Sequence, residues 1–157
     1  MFFSRHMRDA AGSEDMAVNG SVTPVEFTLE PRAGEKALIL SQAVITIVDT
    51  GNFDSGSYGN NVILTNGILV ELVSDTGVVL VDLLDGDPIK TNPEWAQNTG
   101  NLTLYTFGSG DNVATIVWNA PGNQIILDAN TILRVTIQDD LTGLSKHQIH
   151  CQGVVVG

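Results

Sequence analysis

The feature that most constrains the fold is a period-two alternation of apolar and polar residues, which begins near Val22 and continues through most of the chain. In residues 131–138, Leu133, Val135 and Ile137 share one side, because successive side chains of a strand point to opposite faces. The other side is polar. Helical spacing of apolar residues is nearly absent, so the pattern predicts half-buried antiparallel strands.

Segments with this pattern are spread along the chain, and two kinds can be separated by how strictly they alternate. Half-buried strands are predicted at 25–29, 102–107, 112–118 and 131–138. More uniformly apolar strands, which we expect to lie centrally in a sheet or beneath another subunit, are predicted at 37–48, 68–73, 78–84 and 148–156. The total comes to about nine or ten strands.

Turn-forming residues separate these strands. Asn66–Gly67 predicts a tight turn, because both residues tolerate a positive φ, and residues 74–77 are expected to join two strands in the same way. Further turns are predicted at 119–123 and 139–143. One helix of one or two turns is predicted to begin at Asn92, which is followed by a proline and a glutamate suited to a first turn.

Many short strands with turns between them predict an all-β fold, an antiparallel β-sandwich or jelly roll, because a sheet with one apolar face must bury it against another. We place this domain at residues 21–157. Residues 1–20 are rich in Ala, Met, Ser and Gly and do not alternate. They are predicted to be an extended N-terminal arm outside the sandwich, held by a neighbouring copy or another protein, since free segments of this kind are seldom ordered.

The predicted interface combines the arm with the apolar end of the chain, since apolar strand residues beyond the needs of one core suit a contact surface. Its residues are Phe2, Phe3, Arg5, Arg8, Val154, Val155 and Val156.

Composition limits the classes of partner. A chain of 157 residues suits one domain, and 18 acidic against 7 basic residues give a net charge of −11, which repels nucleic acid and anionic membranes. We expect neither as a partner. The single cysteine, Cys151, excludes an intrachain disulfide and a multi-thiolate zinc site. The apolar run at the start of the chain is too short for the apolar region of a secretory signal. We therefore expect a soluble protein that is not exported by that route.

Two acidic stretches are candidate calcium sites. In residues 49–61, DTGNFDSGSYGNN, an EF-hand pattern fails because Gly51 and Asn60 occupy ligand positions, so a turn is predicted there. The side chains expected to shape that turn are Asp49, Asn52 and Asp54. The second stretch has three carboxylates within six residues, but it is also an ordinary turn sequence; its weak candidate ligands are Asp82, Asp85 and Asp87. No metal, cofactor or catalytic residue is assigned.

Other candidate chemistry is outweighed by structural interpretations. His147 and His150 face opposite sides of an extended segment and cannot share a metal, so both are interpreted as polar outer-face or interface residues. Cys151 shares a face with Ile149 and is predicted to be buried. Trp95 is a possible sugar-stacking residue, although aromatic residues of sandwiches more often fill the core. No nucleophile elbow or phosphate loop is present.

Three stretches resemble small structural proteins of tailed bacteriophage virions. They are residues 64–70 (LTNGILV), 84–95 (LDGDPIKTNPEW) and 139–147 (DDLTGLSKH). The resemblance extends over residues 20–157 and consists of sequence habits rather than a catalytic motif. It implies an all-β accessory protein that coats the head, or a ring or collar protein of the tail or head–tail junction.

We therefore expect a non-enzymatic virion component, such as a capsid decoration or cement protein, that binds and reinforces an assembly. Its expected partners are other copies of itself, as a homo-oligomer, and capsid or tail proteins. Removing residues 1–20 is expected to leave a folded domain. Three alternatives remain open from the sequence. They are a carbohydrate-binding jelly-roll module that uses Trp95 and nearby loops, an acid-based glycan-degrading enzyme of phage tails, and host-receptor binding by the loops.

Overall fold

The computed structural model of the chain describes residues 1–51, 53, 56–60, 63–97, 102–107, 113–120 and 125–157. Within these ranges the chain forms ten strands and one short helix. In chain order they are β1 (Phe2–His6), β2 (Val25–Leu29), β3 (Ala37–Val48), β4 (Ile68–Val73), β5 (Val79–Asp82), α1 (Glu94–Gln97), β6 (Leu102–Phe107), β7 (Val113–Asn119), β8 (Ile125–Leu127), β9 (Ile132–Ile137) and β10 (Lys146–Val156).

The strands form two antiparallel sheets, which confirms the all-β prediction. The larger sheet has six strands in the order β1-β10-β3-β7-β6, with β8 also paired to β3. The smaller sheet has four strands in the order β2-β9-β4-β5. Strand β3 is the longest at 12 residues, and its buried and half-buried positions alternate along most of its length. Its length lets it pair with β10, β7 and β8.

The bounds of four strands, β2, β3, β4 and β6, agree with those predicted from the sequence. Strands β5, β7, β9 and β10 differ from prediction by a few residues at their ends. Strand β5 was predicted to lie centrally in a sheet or beneath another subunit. It lies at one edge of the smaller sheet, so the central placement is wrong, and a covering subunit stays a prediction. Strands β1 and β8 were not predicted, because they are too short for a clear alternation.

Buried side chains of both sheets belong to one apolar cluster. Phe27 and Val135 come from the smaller sheet, while Ile45, Ile116 and Ile149 come from the larger one, and each is almost fully buried. The alternation seen in the sequence therefore marks the residues that form this shared core.

The N-terminal arm is not confirmed, because residues 1–20 contact both sheets of their own chain. Strand β1 pairs with β10 along its whole length, and Arg8 forms a backbone bridge with Thr28 of β2. Met7 and Met16 are completely buried in the core. These methionines are widely spaced in a polar segment, so they produce no periodic signal in the sequence.

Helix α1 begins close to Asn92, where the sequence predicted a helix. The Glu94 carboxylate accepts hydrogen bonds from the backbone N–H groups of Lys90 and Thr91, at 2.5 and 3.2 Å. These bonds fix the approach of the chain to the helix. Across the ranges given above, helices are too short to cross a bilayer.

Candidate interaction surfaces

The predicted interface residues divide by strand alternation into exposed and buried sets. Phe2 is 67% exposed, and Val154 and Val156 are 45% and 40% exposed. Phe3 is only 3% exposed and lies in the core, and Val155 packs against the core from a half-buried position. Phe3 and Val155 therefore stabilise their own chain. Phe2, Val154 and Val156 are the residues available to a partner.

The two arginines predicted to lie at the interface make ion pairs within the chain. The Arg5 guanidinium donates two hydrogen bonds to Glu35, one of them at 2.9 Å. These bonds, followed by a bond from the backbone of Arg32, lower the pKa of Glu35 to about 2. Arg8 lies 3.8 Å from Glu14 and is more exposed. Arg5 thus has an intrachain role that the sequence did not indicate.

An exposed apolar row crosses four strands of the larger sheet. Phe2 on β1 is directly opposite Val154 on β10, which is opposite Ile39 on β3. Ile39 is in turn opposite Ile126 on β8, whose side chain is 49% exposed. Directly opposed residues have side chains on the same face of a sheet, so these four residues form a continuous surface, called the apolar row below.

The larger sheet is also free of acidic residues. None of the 18 aspartates and glutamates of the chain lies in its six strands, whereas the four strands of the smaller sheet include Glu26, Glu71 and Asp82. The basic residues of the larger sheet are Arg5 and Lys146. The strands that carry the apolar row are therefore the least acidic part of a strongly acidic chain.

A second apolar surface lies at the edge of the smaller sheet. Strand β5 pairs with β4 on one side and has no second strand partner in the portions that the structure describes. Its Val79, Leu80 and Val81 side chains are 46%, 51% and 47% exposed, and the preceding Val78 is 60% exposed. Residues 78–81 are called the exposed edge below.

The three candidate calcium ligands lie in the turn that follows the exposed edge. Both carboxylate oxygens of Asp82 accept backbone hydrogen bonds, from Leu84 at 2.9 Å and from Gly86 at 2.8 Å. Asp85 has a positive φ of 52°, as a turn residue often does. In the chain as described, no three His, Cys, Asp or Glu side chains are grouped so that they could hold a metal. Asp82 thus acts on the backbone of its own turn.

Backbone contacts also hold the two ends of the predicted turn at residues 49–61, as far as the structure describes them. Asp49 accepts hydrogen bonds from the N–H groups of Thr50 and Asn60, both at 2.7 Å. Gly51 and Gly59 have positive φ angles of 87° and 63°, which glycine adopts without steric cost. These bonds match the turn predicted for this stretch. Asn52 and Asp54, also expected to shape the turn, lie outside the described residues, as do residues 121–123 of the turn predicted at 119–123.

Trp95 and His147 belong to a buried polar network. The Trp95 Nε1–H donates to the Tyr58 hydroxyl oxygen at 3.0 Å, and that hydroxyl lies 2.6 Å from Nε2 of His147. His147 Nδ1 lies 3.1 Å from the Met16 carbonyl oxygen. Trp95 is 3% exposed, so its ring offers no open face for a sugar. The carbohydrate-binding alternative therefore loses Trp95 and is left with the nearby loops.

His147 corrects a prediction, because it was expected on an outer face or at an interface and is completely buried. The signal was present in the sequence: His147 shares its strand parity with Ile149 and Cys151, both of which are buried. The sequence did place Cys151 in the core, and burial raises the pKa of its thiol to about 12. The prediction followed the polar character of the side chain, whereas its position in the strand alternation indicates burial.

His150 lies on the outer face of the larger sheet, opposite His6 of β1. Their rings meet edge to face with centroids 4.5 Å apart. His6 Nδ1 is 3.2 Å from Glu14, and His150 contacts the Ser4 hydroxyl. Partial burial, followed by the charge of His6, lowers the pKa of His150. These contacts join β1 to β10, and local sequence patterns could not indicate the pairing because the two histidines are far apart in the chain.

Comparison with known proteins assigns no family: no family model, curated protein or solved structure matches the chain. The two exposed apolar surfaces are therefore the features that bear on function.

Proposed function

We propose that the chain is a non-enzymatic structural protein of a tailed bacteriophage virion, which binds and reinforces an assembly as a decoration, cement, ring or collar protein. Its partners are other copies of itself and capsid or tail proteins. The observation that carries this proposal is the exposed edge, since natural proteins rarely leave an apolar edge strand open to solvent without a partner to cover it.

A jelly-roll architecture is part of the proposal, and strand order supports it. An eight-stranded jelly roll has one sheet in the order 1-8-3-6 and another in the order 2-7-4-5. If β6 and β8 are set aside as additions, the chain's two sheets run β1-β10-β3-β7 and β2-β9-β4-β5. In that count β7, β9 and β10 are the sixth, seventh and eighth strands, so the two orders are the same as those of a jelly roll. In this arrangement residues 1–20 supply the first strand of a sandwich and its connection to the second sheet. Such folds bind neighbours without needing an active site.

Strand addition is the proposed mode of attachment. Strand β5 uses one side to pair with β4, so its other side can form backbone hydrogen bonds with an extended segment of a neighbouring protein. Its exposed valine and leucine side chains would pack against that segment on both faces. Backbone bonding supplies the geometry, and the apolar side chains supply much of the binding free energy.

Charge around the exposed edge indicates the chemistry of the partner. Asp75 precedes it, and Asp82, Asp85 and Asp87 follow it, all four of them exposed. An extended segment with basic residues on either side of an apolar centre would complement this pattern and would associate faster at low salt.

The proposal is tested in the phage that encodes the chain. Washed virions are analysed by quantitative mass spectrometry after replacement of the gene by the Leu80→Lys or Val22→Lys variant. Lys at position 80 puts a charge into the proposed contact, so we expect incorporation to fall at least about tenfold, a free-energy change of about 1.4 kcal/mol. Val22 is 90% exposed and lies outside both surfaces, so its variant should be incorporated normally.

Circular dichroism of both purified variants checks that they are folded. Absence of the wild-type chain from washed virions would contradict the virion assignment. Normal incorporation of folded Leu80→Lys would contradict attachment through the exposed edge.

A further inference from the structure

We infer that the apolar row is the surface through which two copies of this chain associate, face to face, about a two-fold axis. This deepens the proposed function, on which it rests, by naming the surface used for self-association. The two surfaces then have different partners. Another virion protein binds the exposed edge, and a second copy of the chain binds the apolar row.

The apolar row is continuous across the sheet. Phe2, Val154, Ile39 and Ile126 are matched in register across β1, β10, β3 and β8, so no polar position interrupts them. Val156, 40% exposed, lies two residues further along β10 on the same side. An apolar surface that spans several strands is typical of a protein contact, whereas single exposed apolar residues are ordinary.

The distribution of charge favours a second copy of the chain as the partner that binds the apolar row. Each copy has a net charge of −11, so two copies repel each other over most of their surfaces. The strands of the larger sheet contain none of the acidic residues, and two copies that meet there bring few like charges together. A basic partner or a nucleic acid would gain no attraction at a neutral apolar row, whereas the exposed edge offers a basic protein four nearby carboxylates.

Symmetry provides the complementarity. In a two-fold contact each copy presents the same patch, and an apolar patch without charge is compatible with itself. The polar neighbours of the row on the same face, including Ser4, Gln42 and Gln152, can form the rim that surrounds the apolar centre of many interfaces.

The test is the oligomeric state of the full-length chain, measured by sedimentation equilibrium for wild type and three variants. Ile126→Asp and Val154→Asp each place a carboxylate in the row. Both are expected to raise the dimer dissociation constant at least about a hundredfold, because an unpaired charge would be buried in the contact. Val79→Asp is the matched control, since Val79 is 46% exposed against 49% for Ile126 but belongs to the exposed edge. It should dimerise like wild type.

Thermal unfolding of each variant separates loss of association from loss of folding. A wild-type chain that stays monomeric at high protein concentration would overturn the inference. So would folded Ile126→Asp and Val154→Asp variants that both dimerise normally, or a dimer abolished only by Val79→Asp. Failure of the proposed function is distinct: a dimer missing from washed virions contradicts that function, whereas a monomer found in virions contradicts only this inference.

Discussion

At the scale of single residues, the hydrogen-bond partners in the buried network determine which of its atoms carry protons. The Met16 carbonyl can only accept a hydrogen bond, so Nδ1 of His147 must donate to it. Nε2 is then an acceptor, and the Tyr58 hydroxyl donates to it, while Trp95 donates to the hydroxyl oxygen. Every member is satisfied only when His147 is neutral. Burial, the main cause, lowers the pKa of His147 to about 4.

This histidine makes stability depend on pH. Because the pKa is about 4 when folded and 6.5 ordinarily, the unfolded chain binds more protons between these values. The free energy of unfolding should therefore be highest above pH 6.5 and fall towards pH 4, by at most about 1.4 kcal/mol per pH unit from this group. Denaturant unfolding at several pH values measures the slope.

Two variants isolate the contribution of His147. The His147→Gln variant keeps a polar side chain but cannot titrate, so it should show a smaller slope over the same pH range. The His150→Gln variant, altered on the outer face, should keep most of the wild-type slope. Equal slopes for wild type and His147→Gln would contradict the assignment.

Asp139 holds the neighbouring turn at residues 65–67 through its carboxylate. Its carboxylate accepts backbone hydrogen bonds from Thr65 at 2.9 Å, Asn66 at 3.2 Å and Gly67 at 2.8 Å. The Asp139→Ala variant would leave three N–H groups without this acceptor and should lower the free energy of unfolding by about 3 kcal/mol. Denaturant unfolding measures the loss, and Asp140→Ala, at an exposed neighbour, should lose less. A similar loss in both variants would contradict this role.

The Asp139 contact shows where residue-level prediction stops. The sequence identified residues 139–143 and the pair Asn66–Gly67 as separate turns, and Gly67 does have a positive φ of 84°. It could not indicate that one turn holds the other, because the bonded residues are 72 to 74 positions apart. Such a contact follows from strand order, which local patterns do not specify.

At the scale of elements, long apolar strands were predictable and short ones were not. Strand β3 has 12 residues of nearly continuous apolar pattern, and its bounds follow from sequence. Strand β8 has three residues, which is too few to distinguish an alternation from chance. Strand β1 begins with two adjacent phenylalanines, so the one that faces the core cannot be told from the one that faces solvent until its partner strand is known.

The placement of residues 1–20 reverses the expected effect of removing them. Deletion would remove β1 and two buried methionines, so we now expect an unfolded or aggregated product in place of a folded domain. Met16→Ala is the milder test: Met16 is fully buried, and truncating such a side chain costs about 2 to 5 kcal/mol. Met1→Ala, at a 92% exposed position, should leave thermal stability unchanged. A folded deletion product with wild-type stability would contradict this.

At the scale of the whole molecule, charge is unevenly distributed between the sheets. The sequence alone supplied the net charge of −11 but not its arrangement, since strands of the larger sheet are scattered from residue 2 to residue 156. Only the sheet topology shows that the acid-free segments are neighbours. The same applies to the apolar row, whose four members come from four separate strands of the chain.

The charge arrangement predicts an unusual response to salt. If copies meet through a neutral apolar face, the remaining like charges oppose association, and screening reduces that opposition. The dimer dissociation constant should therefore decrease between about 0.05 and 0.5 M NaCl. Sedimentation equilibrium at both concentrations measures it. A dissociation constant that rises with salt would indicate that ion pairs hold the copies together.

Both termini lie side by side on one sheet: the Met1 amino group is 3.3 Å from the Val155 carbonyl oxygen, and Val155 donates its N–H to the Met1 carbonyl. A short peptide linker could therefore connect Gly157 to Met1. The chain could then be reopened at the exposed turn between β4 and β5, at residues 74–77, giving a circular permutant with the same strand neighbours. By the same geometry, a bulky tag fused to either terminus would stand beside Phe2 and Val154 and could mask their contacts.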